Sequence, residues 1–359
     1  DEADLLLVVG PEELDEKQVF ALDQFLMQGG TVILAATPFH VDLGGRAISA
    51  RQQATGLEGW FEHNGITLKE ALVLDPQNTP FPIPVQRQIA GFVVEEIQSI
   101  SYPYFPDIRD EGMEQETGIT SGLGQITLNW SAPLEFDPQK NQARRITELL
   151  NSSPKAWTSD SEDVQPDFAA HGELGFPIGK DRGRKLLAAL VEGRFESSFK
   201  GQPSPLLPEE PEAATEQEGE NAQAGADAAA EQEPEPPVFS AVVETSPATA
   251  RLILIGSSSF LSDTALTLAT EATQTLYQQP VQLIQNAIDW ALEDRGLLGL
   301  RGRGQYSRML DPLDRDSQLI LEYLNYALAL GGLGLIWYLH RRGAQRRRRH
   351  YAQVLAGGA

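Results

Sequence analysis

Leu5-Leu-Leu-Val-Val-Gly-Pro11, then Val19-Phe-Ala-Leu-Asp-Gln-Phe-Leu26, then Gly29-Gly-Thr-Val-Ile-Leu-Ala-Ala36 follow one another at the start of the chain and decide its fold class. Ala3 to Val9 is an apolar run of strand length, closed by Gly10-Pro11. Leu14-Asp15-Glu16-Lys17 then begins a helix with acids in its first turn, where they oppose the positive end of the helix dipole. Val19, Leu22 and Leu26, with Phe25, recur at helical spacing, and Gly29-Gly30 stops the helix. Thr31 to Ala36 is the next short apolar strand. Apolar strands separated by one amphipathic helix predict a parallel pair buried on both faces.

Farther along, Ala250-Arg-Leu-Ile-Leu-Ile-Gly256 is the strongest strand signal of the second half. It is expected to rejoin the sheet opened by Val8 and Ile33. The expected architecture is one α/β body with a mostly parallel sheet flanked by helices and a β-rich middle part. That middle part contains Ala71 to Asp75, the proline-rich stretch Asn78 to Pro106 with β-type runs such as Gly91 to Glu95, and Gln125 to Trp130. Leu57 to Phe61, followed by Asn64-Gly65, predicts a short helix with a glycine stop. Leu186 to Phe199, bearing Leu187, Leu190 and Val191, reads as helix or strand. Pro280 to Asp294 predicts a helix with Val281, Leu283, Ile284, Ala287, Ile288 and Leu292 on its apolar side and Trp290 nearby.

Residues 201–237 are rich in Pro, Glu, Gln, Ala and Gly and carry no basic residue. Such a run cannot bury enough surface to offset chain entropy, and it predicts a flexible acidic loop. It divides the expected body into residues 1–200 and 238–300, followed by a connector over 301–318. Tyr323 to Leu339 then holds no charged side chain, and His340-Arg341-Arg342 and Arg346-Arg347-Arg348-Arg349 follow at once. A span needs about 20 apolar residues to cross a ~30 Å hydrocarbon core, so a transmembrane helix is expected over 319–339. Arg341, Arg342 and Arg346 to Arg349 predict a cytoplasmic tail over 340–359, because basic residues stay on the cytoplasmic side. Trp337, with Tyr323, Tyr326 and Tyr338, has the placement of interfacial aromatics. Ala327, Gly331, Gly332 and Gly334 would let a partner helix approach closely.

Composition removes several function classes. Over 359 residues the formal charge is −23, which argues against a nucleic-acid surface. Zero cysteines remove thiol nucleophiles, disulfides and cysteine metal sites together. His40, His63, His171, His340 and His350 are scattered without metal-ligand spacing, and no metal or cofactor is expected. Neither GKS nor GKT occurs, so the chain carries no P-loop of its own. Gly256-Ser257-Ser258-Ser259 follows a strand as a nucleophile elbow would, but Phe260 replaces the final glycine of G-x-S-x-G. Its hydroxyls are better suited to capping the next helix, with Ser257, Ser258 and Asp263 as candidate ligand-binding residues. Asp107, Asp110 and Glu111 read as a solvated acidic turn rather than a cation site. The chain opens at Asp1 with no leader before its first strand, so a missing upstream export element is expected.

Together these segments resemble the GldG-like auxiliary proteins of bacterial ABC transporters, described as gliding-motility-associated components. The resemblance rests on Asp4 to Pro11 with Phe20 to Gly30, on Leu149 to Trp157, Val191 to Phe199 and Ala250 to Asp263, and on Gln285 to Trp290 before the final anchor. It implies a class I glutamine-amidotransferase-like α/β fold. Enzymes of that fold use a cysteine nucleophile, which this chain lacks, so the resemblance implies a non-catalytic subunit. The implied partners are the bilayer, an ABC permease and, through it, a cytoplasmic ATPase, in a multi-subunit complex of the bacterial inner membrane with the body extracytoplasmic. A membrane-tethered ligand-binding or hydrolase-like domain is the alternative. It requires a polar site near the C-terminal ends of the strands holding Val8, Ile33 and Ile255. A structural scaffold of an envelope complex is a third reading.

Overall fold

Asp15 caps the first helix. Its carboxylate accepts from the Gln18 backbone N–H at 2.8 Å, and the Gln18 side chain accepts from the Asp15 N–H at 2.9 Å. This reciprocal pair satisfies two of the donors that a helix start leaves open. The computed structural model describes residues 3–42, 48–89, 92–207, 241–273, 275–292 and 315–356. Most of the expected acidic loop (from residue 208) and most of the expected connector (to residue 314) lie outside the described residues. The chain divides into two units, Asp1–Tyr306 and Ser307–Ala359.

The first unit is built on a five-stranded sheet. Strand β1 (Leu5–Val9), helix α1 (Glu16–Met27) and strand β2 (Thr31–Ala35) form the expected βαβ unit, with Leu7 opposite Ile33 in parallel register. Strand β15 (Arg251–Ile255) lies parallel on the other side of β2, with Ile253 also opposite Ile33. The expectation that this distant segment rejoins the opening sheet holds. Beyond it come β14 (Leu186–Gly193) and β12 (Arg144–Asn151), each antiparallel to its neighbour, giving the order β1-β2-β15-β14-β12.

Two expectations are corrected here. The sheet is mixed rather than mostly parallel, since two of its four pairings are antiparallel. Parallel neighbours need a crossover, usually a long helix. The 34 residues from 152 to 185 between β12 and β14 hold a three-residue strand (Trp157–Ser159), and their helical structure is limited to the four-residue helix α3 (Phe168–His171) and a 3₁₀ turn. Second, β2 is buried along its whole length, but β1 is an edge strand with Leu7 and Val9 at 39% and 42% exposure. The stretch Leu186 to Phe199, open between helix and strand, begins as β14 and is buried from Leu187 to Val191.

The sheet separates two apolar layers. On one face Ile33, Leu190, Ile253 and Ile255 pack with Leu283, Ile284, Ala287 and Trp290 of helix α5 (Gln279–Leu292). Val281 and Leu292, expected on that apolar side, are exposed instead at 39% and 54%. On the other face Val32, Leu34, Leu252 and Leu254 pack with Val19, Phe20, Leu22 and Leu26 of α1. Trp60 and Phe61 of the short helix α2 (Glu58–His63) join this second layer.

The β-rich middle part forms five two-stranded ladders: β3 (Phe39–Asp42) with β4 (Ser49–Gln52), β5 (Ile66–Leu68) with β11 (Leu134–Phe136), β6 (Leu72–Leu74) with β13 (Trp157–Ser159), β7 (Phe81–Ile89) with β8 (Phe92–Ile100), and β9 (Asp107–Arg109) with β10 (Gln125–Thr127). Ladders this small do not hold alone. An aromatic cluster ties the β3–β4, β6–β13 and β7–β8 ladders together, in which Tyr102 packs at 4.9 Å from Phe105 and Phe105 at 4.7 Å from Trp130, both edge to face. Ile66 and Leu134 join the α1 layer, and Ile108 and Ile126 the α5 layer.

The second unit carries helix α6 (Arg315–Ala356). It starts inside the expected connector and continues unbroken through the expected tail. Its segment Ile320–Gly343, 24 residues that include Glu322, Arg341 and Arg342, is on average apolar and long enough to cross a membrane, and none of it is buried in the structure.

Candidate functional site

The loops that leave β1 and β15 diverge. The chain leaving β1 turns into α1 on one face of the sheet, and the chain leaving β15 leads through helix α4 (Asp263–Thr273) to α5 on the other. In α/β sheets that divergence opens a crevice at the carboxyl ends of the strands. A cleft of about 560 Å³ lies there, bordered by Val9, Gly10 and Glu12 after β1, Thr37 after β2, and Ser258, Ser259 and Ser262 after β15. Phe39, Val41 and Trp130 form apolar wall, and Gln53 lines the cleft beside them.

Backbone contacts at the strand ends hold these loops. Gly10 N–H donates to Ala35 O, and Ala36 N–H donates to Ile255 O, both at 2.9 Å. Gly10 has φ +61°, a left-handed turn that glycine adopts without strain. Gly256 allows the 129–132 segment to cross directly over β15: Ala132 N–H donates to Gly256 O at 2.6 Å, and a Cβ added to Gly256 would lie 2.2 Å from Ala132 O. Trp130, in that segment, holds φ +46°, uncommon for a bulky residue and typical of sites where the fold imposes strain.

The three candidate ligand residues are treated differently. Ser257 is fully buried and donates its hydroxyl to Asn129 O at 2.7 Å, so it fastens the crossing segment. Ser259 makes the same contact at 3.1 Å. Ser258 lines the cleft. Asp263 begins α4 in an exposed position and is not among the cleft-lining residues. The hydroxyl that serves the start of α4 is that of Ser262, which accepts from Ala265 N–H at 3.2 Å.

Thr37 and Gln53 were not singled out by the sequence. Thr37 is 8% exposed and lines the cleft, and its Oγ1 has no hydrogen-bond partner. Gln53 Oε1 is likewise buried without a partner. Most buried polar groups are paired, so these two occluded, unmet oxygens are exceptions in the structure. The available signal was positional: Thr37 lies just past β2, in an X-Pro pair that favours extended backbone. At the rim, His40 Nδ1 stands 3.6 Å from Glu12 Oε1, a solvent-exposed pair.

A second cleft of about 720 Å³ shares Pro38 and Gln53 with the first and is bordered by Glu58, Glu62, Glu70, Asp137 and Lys140. Burial pushes the Glu58 carboxyl up, but hydrogen bonds from its own and the Thr55 N–H and from the Thr55 hydroxyl outweigh this and hold it below its ordinary value. Two carboxylates in the body shift the other way. Burial raises Asp75 against hydrogen bonds from Ser153, and raises Asp107 against the Arg109 guanidinium 2.6 Å away. Neither borders these clefts. Among the described residues no group of three or more His, Asp or Glu is placed to hold a metal ion.

In the second unit, Ala327, Gly331, Gly332, Gly334 and Trp337 all lie exposed on α6. The Arg341 guanidinium sits 5.0 Å from the centre of the Trp337 ring, and Arg342 and Arg346 to Arg349 continue the same helix.

A crevice above three parallel strands, in a chain that also carries a helix of membrane-spanning length and composition, defines an α/β module with a candidate membrane anchor. A family model described as "ABC-type uncharacterized transport system" matches residues 1–291, and the chain belongs to this family of auxiliary components of ABC-type transport systems. It is similar to an uncharacterized protein of Borreliella burgdorferi, 20% identical over 200 residues, in a match covering 55% of this chain and 37% of that protein. The match thus spans little more than a third of that relative's length. Among solved structures, the mmIFT52 N-terminal domain is similar at 11% identity and a TM-score of 0.35, over 81% of this chain and 78% of that one.

Proposed function

We propose that this chain is a non-catalytic, extracytoplasmic accessory subunit of a bacterial ABC-type transport complex of the gliding-motility type. Helix α6 anchors it in the inner membrane, and its small-residue positions Ala327, Gly331, Gly332 and Gly334 pack against the permease, which links it to a cytoplasmic ATPase. The six arginines at 341, 342 and 346–349 outnumber Arg301, Arg303, Arg308 and Arg315 before the span, which favours a cytoplasmic C-terminus. The observation that carries the reading is the bare 24-residue window of α6 in a chain of a transport-auxiliary family. An apolar surface of that length calls for lipid or partner helices rather than water.

The central parallel trio is the part of the sheet that an amidotransferase-like relationship would share. In this reading the body contacts a transported substrate or partner through the strand-end cleft, and the absence of cysteine favours binding over amidotransferase chemistry. Affinity purification of the full chain in mild detergent tests the subunit assignment. Co-purification of a multispanning permease and an ATPase is expected, weakened by Gly331→Leu together with Gly334→Leu. Recovery of neither partner from the parent chain refutes it. Protease treatment of intact spheroplasts tests topology: the body should be digested before lysis.

A further inference from the structure

We infer that the part of α6 beyond the apolar run, Arg341 to Arg349, is a binding surface for anionic phospholipid headgroups. The inference rests on the reading of α6 as a membrane anchor and adds the class of lipid that gathers around it.

The first observation is the continuity of the helix. Helix α6 runs unbroken from Arg315 to Ala356 over 42 residues, so the chain keeps helical geometry past Leu339, where the apolar run ends. From Leu339 to Arg349 the helix advances about 15 Å at ~1.5 Å per residue. An extended chain, at ~3.3 Å per residue, would carry Arg349 about 33 Å away. The headgroup layer is about 5–7 Å deep on each side of the hydrocarbon core. The field of an anionic leaflet then fades over about 8 Å at physiological salt. Only the helical path keeps Arg346 to Arg349 inside that field.

The second is the arrangement of the charge. Arg341, Arg342 and Arg346 to Arg349 place six arginines within nine consecutive residues. Four successive positions complete a helical turn of ~3.6 residues, so 346–349 go once round the axis instead of forming a stripe. A ring of this kind meets headgroups on every side of a helix that crosses the leaflet, whereas a helix lying in the interface needs its charge on one face. Arginine also suits the target, because its planar fork matches two oxygens of one phosphate and it sheds water more readily than an ammonium does.

The third is the join between the apolar run and the ring. Arg341 and Arg342 are exposed, and the Arg341 guanidinium lies 5.0 Å from the centre of the Trp337 ring. Indole rings settle at headgroup level, so this contact sets the first guanidinium at the same depth.

The full chain, reconstituted into phosphatidylcholine vesicles, tests the inference by energy transfer from tryptophan to a trace of lipid with a pyrene-labelled acyl chain. The labelled lipid carries either a phosphatidylglycerol or a phosphatidylcholine headgroup. At low salt phosphatidylglycerol should be enriched around the chain about fivefold, the equivalent of the ~1 kcal/mol that a basic residue gains near an anionic surface. The enrichment should fall towards one in about 1 M salt, where screening shortens the field to ~3 Å. A variant carrying R346Q, R347Q, R348Q and R349Q, which keeps good helix formers, should lose most of it with unchanged circular dichroism. Equal transfer to the two labelled lipids overturns the inference, as does an enrichment that salt leaves untouched or that the glutamine variant retains. Loss of the enrichment on adding millimolar inorganic phosphate at constant ionic strength also overturns it, since the arginines would then select soluble phosphate. Retention in the carbonate-resistant membrane pellet reads the anchor separately. Equal transfer from a parent chain that stays in the pellet removes this inference alone, whereas a parent chain absent from the pellet removes the anchor reading.

Discussion

The Trp60 indole N–H donates to Asp23 Oδ1 at 3.0 Å, joining α2 to α1 through a carboxylate with no exposed surface. The same carboxylate accepts from Ser197 Oγ at 2.5 Å, Gln24 Nε2 at 3.1 Å and Ser198 N–H at 3.2 Å. It therefore also fastens the segment after β14 to the face of the sheet that α1 covers. Buried charge is tolerated only when hydrogen bonds replace its hydration, and here neutral donors from three segments do so.

Replacing Asp23 by alanine leaves those donors buried without their acceptor. A loss of about 3 kcal/mol is expected, at the upper end for stranded buried groups. Asp23→Asn keeps the volume and one acceptor oxygen and should lose less. Thermal unfolding in micelles, followed by tryptophan fluorescence, reads both variants. A Tm for Asp23→Ala within a degree of the parent counts against the hub.

Gly256 should not tolerate a methyl group. The added Cβ would lie 2.2 Å from Ala132 O, a backbone atom that moves only if the crossing segment lifts from β15. Overpacking of this kind costs about 1–3 kcal/mol, so Gly256→Ala should lower the Tm measurably. Because Ser257 and Ser259 hold that segment through Asn129 O, the variant should also disturb the cleft at Trp130. Gly59, where an added Cβ meets nothing within 4 Å, is the control, and Gly59→Ala should be neutral or slightly stabilising.

The acid limb of stability has an identifiable contributor. Slight burial pushes Asp181 up, but hydrogen bonds from Thr158 and Lys185 outweigh it and bring the carboxyl from 3.8 to about 2. A folded pKa below the unfolded one adds stability above the ordinary carboxylate range, which is lost as pH falls from about 4 towards 2. Asp75 and Asp107 have the opposite sign: raised by burial, they favour the folded state when protonated and oppose it as pH rises through their folded values. Asp181→Asn should therefore be less stable than the parent at pH 6, with the gap closing below pH 3. A constant gap across that range would show that the ion pair is not its source.

How far the sequence carries can be seen at particular residues. The βαβ opening and the return of Ile253 beside Ile33 were legible because period and length agreed locally. The exposure of Leu7 and Val9 was not, since an edge strand and a central strand have the same composition and differ only in what pairs beside them. Leu186 to Val191 remained open because a short apolar run buried on both faces has no period. At the cleft, Ser258 was legible as part of a turn following a strand, but Asp263 was not brought to it. Thr37 and Gln53 have no motif at all. They come to the cleft only because β2, the β3–β4 ladder and Trp130 meet around one space.

Helix α6 makes the last prediction. Its 24-residue window is about 36 Å long at ~1.5 Å per residue, longer than a hydrocarbon core of ~30 Å. Its charged ends, Glu322 at one and Arg341 and Arg342 at the other, should therefore reach the two interfaces, placing Leu333 near mid-membrane. Arginine at the centre of a span costs about 2.5–3.5 kcal/mol on insertion scales, whereas near the end, where Arg341 already stands by Trp337, a basic side chain can reach the interface. Leu333→Arg should shift the full chain from the carbonate-resistant membrane pellet towards the soluble fraction. Leu339→Arg, immediately before His340 and its arginines, should stay in the pellet. Asp23 and Trp60 lie in the other unit, so the fluorescence of the body should be the same in both variants. Equal membrane retention of the two would show that α6 is not held by crossing the bilayer and would remove the anchor from the proposed assembly.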